Sequence, residues 1–469
     1  MKKYILNFKF HLLIFTFSFL ILTRFNIDPD LGWHLAIGNR FLETGEIIRA
    51  DQFSWTMPGY VWGNYFFLYE ILVAFLFKYL GYILTVVVFG LIGSLAVLIL
   101  TFGRRLTFWQ ILVIGLGLSV ALTNLAVRPS MISFLFTAVL LFFLDRGFVK
   151  KNTYSPLLFG LFVLWANFHQ GFVIGVLILG AYLGIDFLWQ RVEGKESGLV
   201  SRMIPLGVAV LGTLFTPYHL SLWQSIIKDL TGLKTWAIAE WMPTAIYFPA
   251  NILFALSGLI FIYILVTKFR KAEPVWFLLG AGMFCLAFLV NNLIFVWIAI
   301  FIFVTSRYFN FKLNLVGDFW VKIPIVFSAS AVFLAFSLNF LVNLADSIGL
   351  EKRFILDKYP VEAVNYLKRD GLIKGLFNDY GWGGFIDWQL PEAKVFIDGR
   401  MTGWRTGNGR YILADYLAIK RGDCNVAKNY EIKVALLKKD DKPLCFEDWE
   451  KVYEDSVAQI LRSSSKLSK

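Results

Sequence analysis

Charged residues are scarce in this sequence. Asp, Glu, Lys and Arg make up 17% of its 469 residues, whereas apolar residues make up 58%. Soluble globular domains have about 25% charged and about 45–50% apolar residues. The apolar residues also form uninterrupted runs, such as 83–101, 253–267 and 321–341, and a helix needs about 20 such residues to cross a bilayer. The composition therefore excludes an ordinary soluble protein and predicts a polytopic α-helical membrane protein.

Common nucleotide-binding and metal-binding motifs are absent from the sequence. It contains no G-x-x-x-x-G-K-[ST] loop, no strand–G-x-G-x-x-G–helix unit, no H-E-x-x-H and no clustered Cys/His pattern. An enzyme with this sequence would therefore not take its energy from a nucleotide held in the usual phosphate-binding loop. The sequence also lacks paired, interrupted helices related by internal symmetry, which are typical of transporters.

The net charge is +12, but the distribution of Lys and Arg argues against a nucleic-acid partner. These residues concentrate in alternate connections between the apolar runs, at 104–105, 146–151, 191–202, 268–271 and 307–312. Because positively charged loops stay in the cytoplasm, the pattern predicts a cytoplasmic N-terminus, an extracytoplasmic C-terminus and a place in the plasma (inner) membrane. About eleven spanning helices are predicted, at 8–25, 82–102, 106–123, 130–145, 156–168, 171–189, 203–217, 250–267, 275–289, 292–306 and 322–343.

The apolar run 66–80 is short and contains Glu70 and Lys78. If this run crossed the membrane, every later loop would change sides and the basic loops would face outward. We therefore expect a helix that lies in the outer interface or enters the bilayer only part-way. The first outer loop then covers residues 26–81, within a transmembrane domain of residues 1–344.

The composition changes after Leu344. Residues 345–469 are rich in charge and contain no run long enough to cross a membrane, which predicts a small extracytoplasmic mixed α/β domain. Pro360 begins a helical pattern that Gly371 ends, and strand-like runs follow at 383–388, 394–398 and 432–437. An extracytoplasmic compartment permits a disulfide between Cys424 and Cys445, although the sequence does not show that they are close together.

The first outer loop begins with Asp28-Pro29-Asp30-Leu31-Gly32-Trp33-His34. Pro29 favours an extended conformation at Asp28, and residues two apart in an extended chain point the same way. Two such carboxylates resist joint ionisation, so one pKa should rise. The pair would suit a general base, or would hold a divalent cation such as Mg or Mn. The structural alternative is that Asp30 only caps a helix over 31–44 that Gly45 ends.

Other polar residues map to the same predicted outer face and suggest one polar cavity there. Each also has a structural explanation, because interfacial Trp and His anchor proteins in membranes and an isolated Arg extends its charge to the headgroups. A phosphate partner would explain an Arg on the side where Arg is scarce. These residues are His34, Arg128, Asn167, His169, His219, Glu240 and Trp241.

Together these features resemble the GT-C membrane glycosyltransferases, a superfamily that includes oligosaccharyltransferases, protein O-mannosyltransferases and the aminoarabinose transferase of lipid A. The resemblance covers nearly the whole chain: a carboxylate motif in the first outer loop, an interfacial helix, the spans and an outer α/β domain. It is strongest to a bacterial subgroup, on residues 30–34, 51–56, 128–129, 165–169 and 394–400.

The resemblance implies transfer of a sugar, with inversion, from a polyprenyl-phosphate donor to a glycan, lipid or protein acceptor. Asp30, or Asp28, would be the general base, and Arg128 with His169 or His34 would neutralise the departing phosphate. Residues Asp51, Asn167, His219, Glu240, Trp241, Asp379, Asp398 and Arg400 would line the acceptor side or the cavity.

Asn378-Asp379-Tyr380-Gly381-Trp382 is similar to the Trp-Trp-Asp-Tyr-Gly motif with which oligosaccharyltransferases hold their acceptor, but Phe377 and Asn378 replace the two tryptophans. Asparagine glycosylation is therefore not predicted. Two other classes stay open: a non-catalytic membrane assembly protein of envelope glycan synthesis, and a lipid or glycan transporter that uses the same polar residues along a pathway.

The predicted topology has a direct test. A reporter fused after Leu344 is expected to be active only outside the cytoplasm, and a reporter in the loop that contains Lys195 only inside, because the basic loops stay in the cytoplasm. Labelling of Lys195 from outside intact cells would contradict the assignment.

Overall fold

The computed structural model describes residues 2–150, 154–194, 199–230, 238–244, 250–268, 273–310, 319–441 and 444–463. Lys195, which the topology test uses, lies outside these residues. The chain divides into two compact units. We call residues 1–25, 85–216 and 238–345 the helical unit, and residues 26–84, 217–237 and 346–469 the mixed unit.

The first part of the chain is helical, and four short strands occur among further helices after residue 375. The helices are α1 (Lys2–Leu22), α2 (Leu31–Thr44), α3 (Phe67–Leu100), α4 (Phe108–Val120), α5 (Pro129–Asp145), α6 (Ser155–Phe168), α7 (Phe172–Val192), α8 (Leu199–Gly212), α9 (Leu220–Leu230), α10 (Ala250–Lys268), α11 (Pro274–Leu289), α12 (Ile294–Tyr308), α13 (Phe319–Asp346), α14 (Leu350–Leu356), α15 (Val361–Arg369), α16 (Gly383–Gln389), α17 (Ile412–Lys420) and α18 (Cys424–Ala427). The strands are β1 (Leu376–Asn378), β2 (Val434–Lys438), β3 (Glu450–Glu454) and β4 (Ala458–Arg462).

Every predicted membrane span overlaps a helix. Among the residues that the structure describes, four helical segments are long and apolar enough to cross a membrane by length and composition, namely Phe67–Leu100, Phe172–Val192, Asn251–Lys268 and Asn291–Tyr308. Several of their apolar side chains, such as Leu177, Leu259 and Val266, are exposed on the protein surface, which suits contact with lipid. The membrane class is therefore confirmed, whereas the number of about eleven spans stays a prediction.

Helix α3 is broken at Gly81, whose φ of 75° and ψ of 174° are not helical. Glycine adopts a positive φ at little steric cost, so the chain changes direction there. The residues up to 84 belong to the mixed unit and those after it to the helical unit. The segment 66–80 is therefore distinct from the span that follows, as predicted, and its place in the membrane interface stays a prediction.

The mixed unit contains a four-stranded sheet in the order β1-β2-β4-β3. Strand β1 pairs with β2 in parallel, and the other pairs are antiparallel. The helix predicted after Pro360 is α15, and it ends before Gly371, whose φ is 65°. Cys424 and Cys445 form a disulfide, with their Cα atoms 5.0 Å apart.

Two of the three predicted strands in this region are wrong. Residues 383–388 form helix α16, and of the described residues 394–398 only Val395 makes an isolated bridge, with Ser54. A close contact holds this short helix against α2, because a Cβ on Gly32 would lie 2.1 Å from the carbonyl oxygen of Gly384. Glycine at both positions lets α2 and α16 cross with their backbones touching, and the short helix packs where a strand was expected.

The first outer loop is built into the C-terminal part of the mixed unit by hydrogen bonds. The Ile27 amide donates to Asp357, and the Trp55 indole donates to the Leu376 carbonyl. The Thr56 hydroxyl donates to the Phe396 carbonyl over 2.6 Å. These bonds join residues more than 300 positions apart in sequence, so they fix the loop that carries the carboxylate motif.

Candidate functional site

Asp28 and Asp30 lie in a turn and not in an extended chain. The Asp28 carboxylate accepts a hydrogen bond from the Asp30 amide over 2.8 Å, and the Asp28 carbonyl accepts one from the Leu31 amide over 3.0 Å. An Asp side chain that bonds the backbone two residues on forms an Asx-turn. The predicted extended geometry is therefore wrong, and the two carboxylates occupy different environments.

Asp30 begins the predicted helix without capping it. Helix α2 covers 31–44 and ends at Gly45, whose φ is 69°, so the predicted bounds are confirmed. Within this described segment, however, the Asp30 side chain makes no capping hydrogen bond, because its φ of −83° and ψ of −14° are helical and capping favours an extended residue. The half-buried carboxylate instead accepts a hydrogen bond from the Trp33 indole over 3.0 Å.

The Asp30 carboxylate also lies against the backbone of Gly399. A Cβ on Gly399 would lie 1.9 Å from Asp30 Oδ1 and 3.2 Å from Trp33 Nε1. Gly399 begins the 3-10 turn Gly399–Gly403. The structure therefore brings together two motifs that the sequence separates widely, at 30–34 and at 398–400.

A small, largely apolar cleft lies beside Asp28, with a cavity volume of about 10 Å³. Its walls come from α2, α14, α16 and the residues next to them, and include Leu31, Leu35, Phe385 and Trp388. At that volume the cleft has room for about one water molecule.

Arg400 is enclosed by three carboxylates in the interior of the mixed unit. Its guanidinium lies 3.0 Å from Asp398 Oδ1, 2.9 Å from Asp51 Oδ1 and 3.9 Å from Asp387 Oδ2. All four side chains are at most 2% exposed. Aromatic rings contact the guanidinium within 5.5 Å and contribute cation–π attraction; they belong to Phe53, Trp62 and Trp404.

Burial and the neighbouring charges shift the pKa values of Asp387 and Arg400. Burial and the neighbouring charge of Asp398 raise the pKa of Asp387 well above its ordinary value, although Arg400 opposes the shift. Burial disfavours the Arg400 cation, but Asp398, Asp51 and Asp387 outweigh it and raise the pKa of Arg400. Asp51, Asp398 and Arg400 therefore hold the fold, and an acceptor-binding role for them stays a prediction.

His34 is buried in a second polar group together with Glu70, which was not among the predicted site residues. His34 Nδ1 lies 3.5 Å from Glu70 Oε1, and Glu70 Oε2 accepts a hydrogen bond from the side-chain amide of Asn64 over 2.6 Å. The Trp33 ring covers the imidazole, with centroids 3.5 Å apart. The sequence offered one signal for this group: Glu70 lies in the apolar run 66–80, and a buried charge needs a partner.

Arg128 forms an ion pair in the helical unit. It immediately precedes Pro129, the first residue of α5, and its Nη1 lies 2.5 Å from Glu240 Oε1. Both side chains are partly buried, at 21% and 36% exposure. Glu240 and Trp241 share the 3-10 turn Ala239–Trp241. Two of the predicted residues are thus in contact, and a ligand phosphate at Arg128 would have to compete with Glu240.

His169 lies between α6 and α7, buried among polar groups. Its Nδ1 lies 2.7 Å from the Ser133 hydroxyl, which accepts a hydrogen bond from the Trp165 indole. Burial lowers the pKa of His169 to about 3, so the imidazole is neutral and supplies no positive charge to a phosphate. Asn167 donates to the carbonyl oxygens of Val163 and Phe215 and so ties α6 to the chain beyond α8.

Asp379 and His219 lie elsewhere in the mixed unit. The Asp379 carboxylate accepts a hydrogen bond from the Gly381 amide and lies 3.7 Å from the ammonium groups of both Lys420 and Lys438. His219 is exposed and has a φ of 47°, a left-handed conformation that is uncommon outside glycine.

The predicted site residues divide between the two units. The mixed unit contains Asp28, Asp30, His34, Asp51, His219, Asp379, Asp398 and Arg400, and the helical unit contains Arg128, Asn167, His169, Glu240 and Trp241. Among the residues that the structure describes, no group of three or more His, Cys, Asp or Glu could hold a metal ion. One shared cavity, and a cation at Asp28 and Asp30, stay predictions.

Comparisons with known proteins find a match in structure. Sequence searches find no matching protein family and no matching curated protein. The oligosaccharyltransferase AglB of Archaeoglobus fulgidus, solved with an inhibitory peptide and a dolichol-phosphate, is similar at 12% identity and a TM-score of 0.56, over 92% of this chain and 69% of that one. The apo form of that enzyme gives 12% identity and a TM-score of 0.57, over 92% and 70%.

ArnT of Cupriavidus metallidurans, bound to undecaprenyl phosphate, is similar at 12% identity and a TM-score of 0.50, over 100% of this chain and 99% of that one. AglB and ArnT are GT-C membrane glycosyltransferases. At this identity the likeness shows the fold alone. The GT-C fold predicted from the sequence is therefore confirmed.

The Arg400 cluster predicts a contrast between two substitutions. Arg400→Met is expected to cost about 3–5 kcal/mol, because it leaves buried carboxylates without their cation. Asp387→Asn is expected to cost much less, because Asp387 lies 3.9 Å from the guanidinium, farther than Asp51 or Asp398, and burial already disfavours its charged form. Thermal unfolding in detergent checks both, with the exposed Arg405→Met as the control. Equal melting temperatures for Arg400→Met and Arg405→Met would contradict the assigned role.

Proposed function

We propose that this protein is a membrane glycosyltransferase that moves a sugar from a polyprenyl-phosphate donor to an acceptor on the outer face of the membrane. The observation that carries the proposal is the fold, which matches over 92–100% of the chain two transferases solved with dolichol-phosphate or undecaprenyl phosphate. A lipid-linked donor also suits a sequence without a nucleotide-binding loop.

Asp30 is the proposed general base. Its carboxylate is half-buried, and the Trp33 indole holds Oδ1 in place. In the reaction, Asp30 takes the proton of the acceptor hydroxyl as that oxygen attacks the anomeric carbon. The bond between the anomeric carbon and the phosphate oxygen breaks, the configuration inverts, and polyprenyl phosphate leaves with the electron pair.

Arg128 is the proposed partner of the donor phosphate. Its planar guanidinium can bind two phosphate oxygens at once, and its pairing with Glu240 shows that an anion fits against it. The donor phosphate would replace Glu240, so the ion pair holds the cation in position before the lipid arrives. His169 is neutral and would contribute a hydrogen bond and no charge.

A divalent cation is the alternative role for the carboxylate motif. Mg²⁺ is commonly bound by one or two protein carboxylates, with substrate phosphates and water as the remaining ligands. Asp28 and Asp30 would supply such a pair. The cation would then neutralise the departing phosphate in place of a histidine.

The base assignment predicts that Asp30→Asn lowers the turnover rate by about 10²–10⁴. Stability is expected to change little, because the Asn oxygen still accepts the Trp33 hydrogen bond and no capping bond is lost. The measurement is release of polyprenyl phosphate from a polyprenyl-phosphate sugar in nanodiscs, with envelope extract as the source of acceptor. Asp448→Asn, at an exposed carboxylate, is the control. Full activity in Asp30→Asn would remove Asp30 as the base.

The phosphate assignment predicts a graded series at Arg128 in the same assay at limiting donor. Arg128→Lys is expected to be weakened and Arg128→Gln much weaker, because Lys keeps the charge but loses the planar fork. Glu240→Gln is expected to lower the donor KM, because it removes the competing anion.

A membrane anchor at Arg128 would behave differently. Lys extends its charge to the headgroups about as well as Arg, so Arg128→Lys would keep the wild-type rate. Wild-type donor KM in both Arg128→Gln and Glu240→Gln would contradict a phosphate site at Arg128.

A further inference from the structure

The contact between Asp30 and Gly399 leaves no room for a side chain at position 399. A Cβ there would lie 1.9 Å from Asp30 Oδ1 and 2.9 Å from the Asp30 carboxyl carbon, closer than non-bonded carbon and oxygen atoms approach. The φ of Gly399 lies outside the left-handed region, so the backbone conformation does not require glycine. Glycine is required here by the space that the Asp30 carboxylate occupies.

The Asp30 carboxylate is also held by Trp33. The Trp33 indole donates to Asp30 Oδ1 over 3.0 Å, and Trp33 itself is only 4% exposed. A Cβ on Gly384 would lie 3.0 Å from the Trp33 amide nitrogen and 3.0 Å from Trp33 Cδ1. Helix α16 is therefore packed directly against the indole, and the indole cannot move away together with the carboxylate.

The backbone at Gly399 is fixed as well. The Arg400 amide donates to Asp398 Oδ1 over 2.8 Å, and the Arg400 guanidinium is held in its buried carboxylate cluster. A Cβ on Gly383 would lie 2.3 Å from the Ile397 carbonyl oxygen and 2.8 Å from Asp398 Cα. The segment 397–400 is thus held by its contact with α16 and by the ion cluster, to which α16 contributes Asp387.

We propose that Gly399 is a positioning residue, which sets the place of the Asp30 carboxylate by offering it a bare backbone to lie against. The inference rests on the proposed role of Asp30 as the general base. A general base must reach the proton within about 2.6–3.2 Å, and a misplacement of about 1 Å can cost about 10²-fold in rate. A methyl group at position 399 would displace the carboxylate by a distance of that order.

The test compares alanine substitutions at two glycines that lie near each other in sequence, Gly399 and Gly407. Gly399→Ala is expected to lower kcat by about 10–100-fold with little change in the donor KM, because the donor still binds while the base is misplaced. Gly407→Ala is the matched control, since a Cβ there meets no other described atom within 4 Å; it is expected to keep the wild-type rate. Equal rates for the two variants would overturn the inference.

A double variant separates positioning from a general structural effect. In the Asp30→Asn background, Gly399→Ala is expected to lower the rate no further, because the group it displaces no longer acts as a base. A further loss as large as that in the wild-type background would show that Gly399 acts independently of Asp30 and would overturn the inference. Full activity in Asp30→Asn alone would instead overturn the proposed base.

Folding of Gly399→Ala has its own check. If this variant is not recovered folded, Asp30→Ala is added to it, because the shorter side chain makes room for the new methyl group. Recovery of the thermal stability of Asp30→Ala alone supports the contact as the cause. Failure to recover it would show that the clash is not with Asp30.

Discussion

The mixed unit depends on the burial of one cation. Arg400 reaches Asp51 from the first outer loop, Asp387 from α16 and Asp398 from its own turn. A guanidinium taken out of water costs several kcal/mol unless charges and hydrogen bonds compensate it. The compensation requires all three segments to be in place at once. A loop that follows the first helix is thereby joined to residues near position 400, and the carboxylate motif is fixed relative to the turn that contains Gly399.

The ends of two helices were predicted correctly from the residues beside them. The helix over 31–44 has Gly45 as its stop, and the helix over 361–369 lies between Pro360 and Gly371. Both follow from backbone preferences of the residues at their ends. The apolar runs likewise predicted the helices, because a stretch that is apolar all round can only be buried or face lipid.

Features set by distant contacts were not predictable from one sequence. Residues 383–388 were expected to form a strand, yet they form helix α16, in which Gly384 packs closely against Gly32 of α2. Asp51 and Arg400 take part in an ion cluster that brings together residues 349 positions apart, from 51 to 400, and their predicted place on the acceptor side or the cavity stays a prediction. Asp28 was expected in an extended chain, but its carboxylate accepts a hydrogen bond from the Asp30 amide, and the two residues lie in a turn.

Both candidate groups are already held by a protein partner in the absence of substrate. Asp30 accepts the Trp33 hydrogen bond, and Arg128 is paired with Glu240. Such contacts orient a carboxylate or a guanidinium before the substrate binds, which lowers the entropic cost of reaching the reactive geometry. Under the proposed function, Asp30 and Arg128 would be fixed groups that act on a mobile lipid donor.

The most direct test of a lipid-donor transferase is the fate of the donor itself. The wild-type protein in nanodiscs is given polyprenyl-phosphate sugars and nucleotide sugars together, with envelope extract as acceptor, and mass spectrometry follows every donor. A lipid-donor transferase is expected to release polyprenyl phosphate and to place sugar on an acceptor, while the nucleotide sugars stay intact. Consumption of a nucleotide sugar, or movement of the lipid donor across a sealed membrane without cleavage, would contradict it.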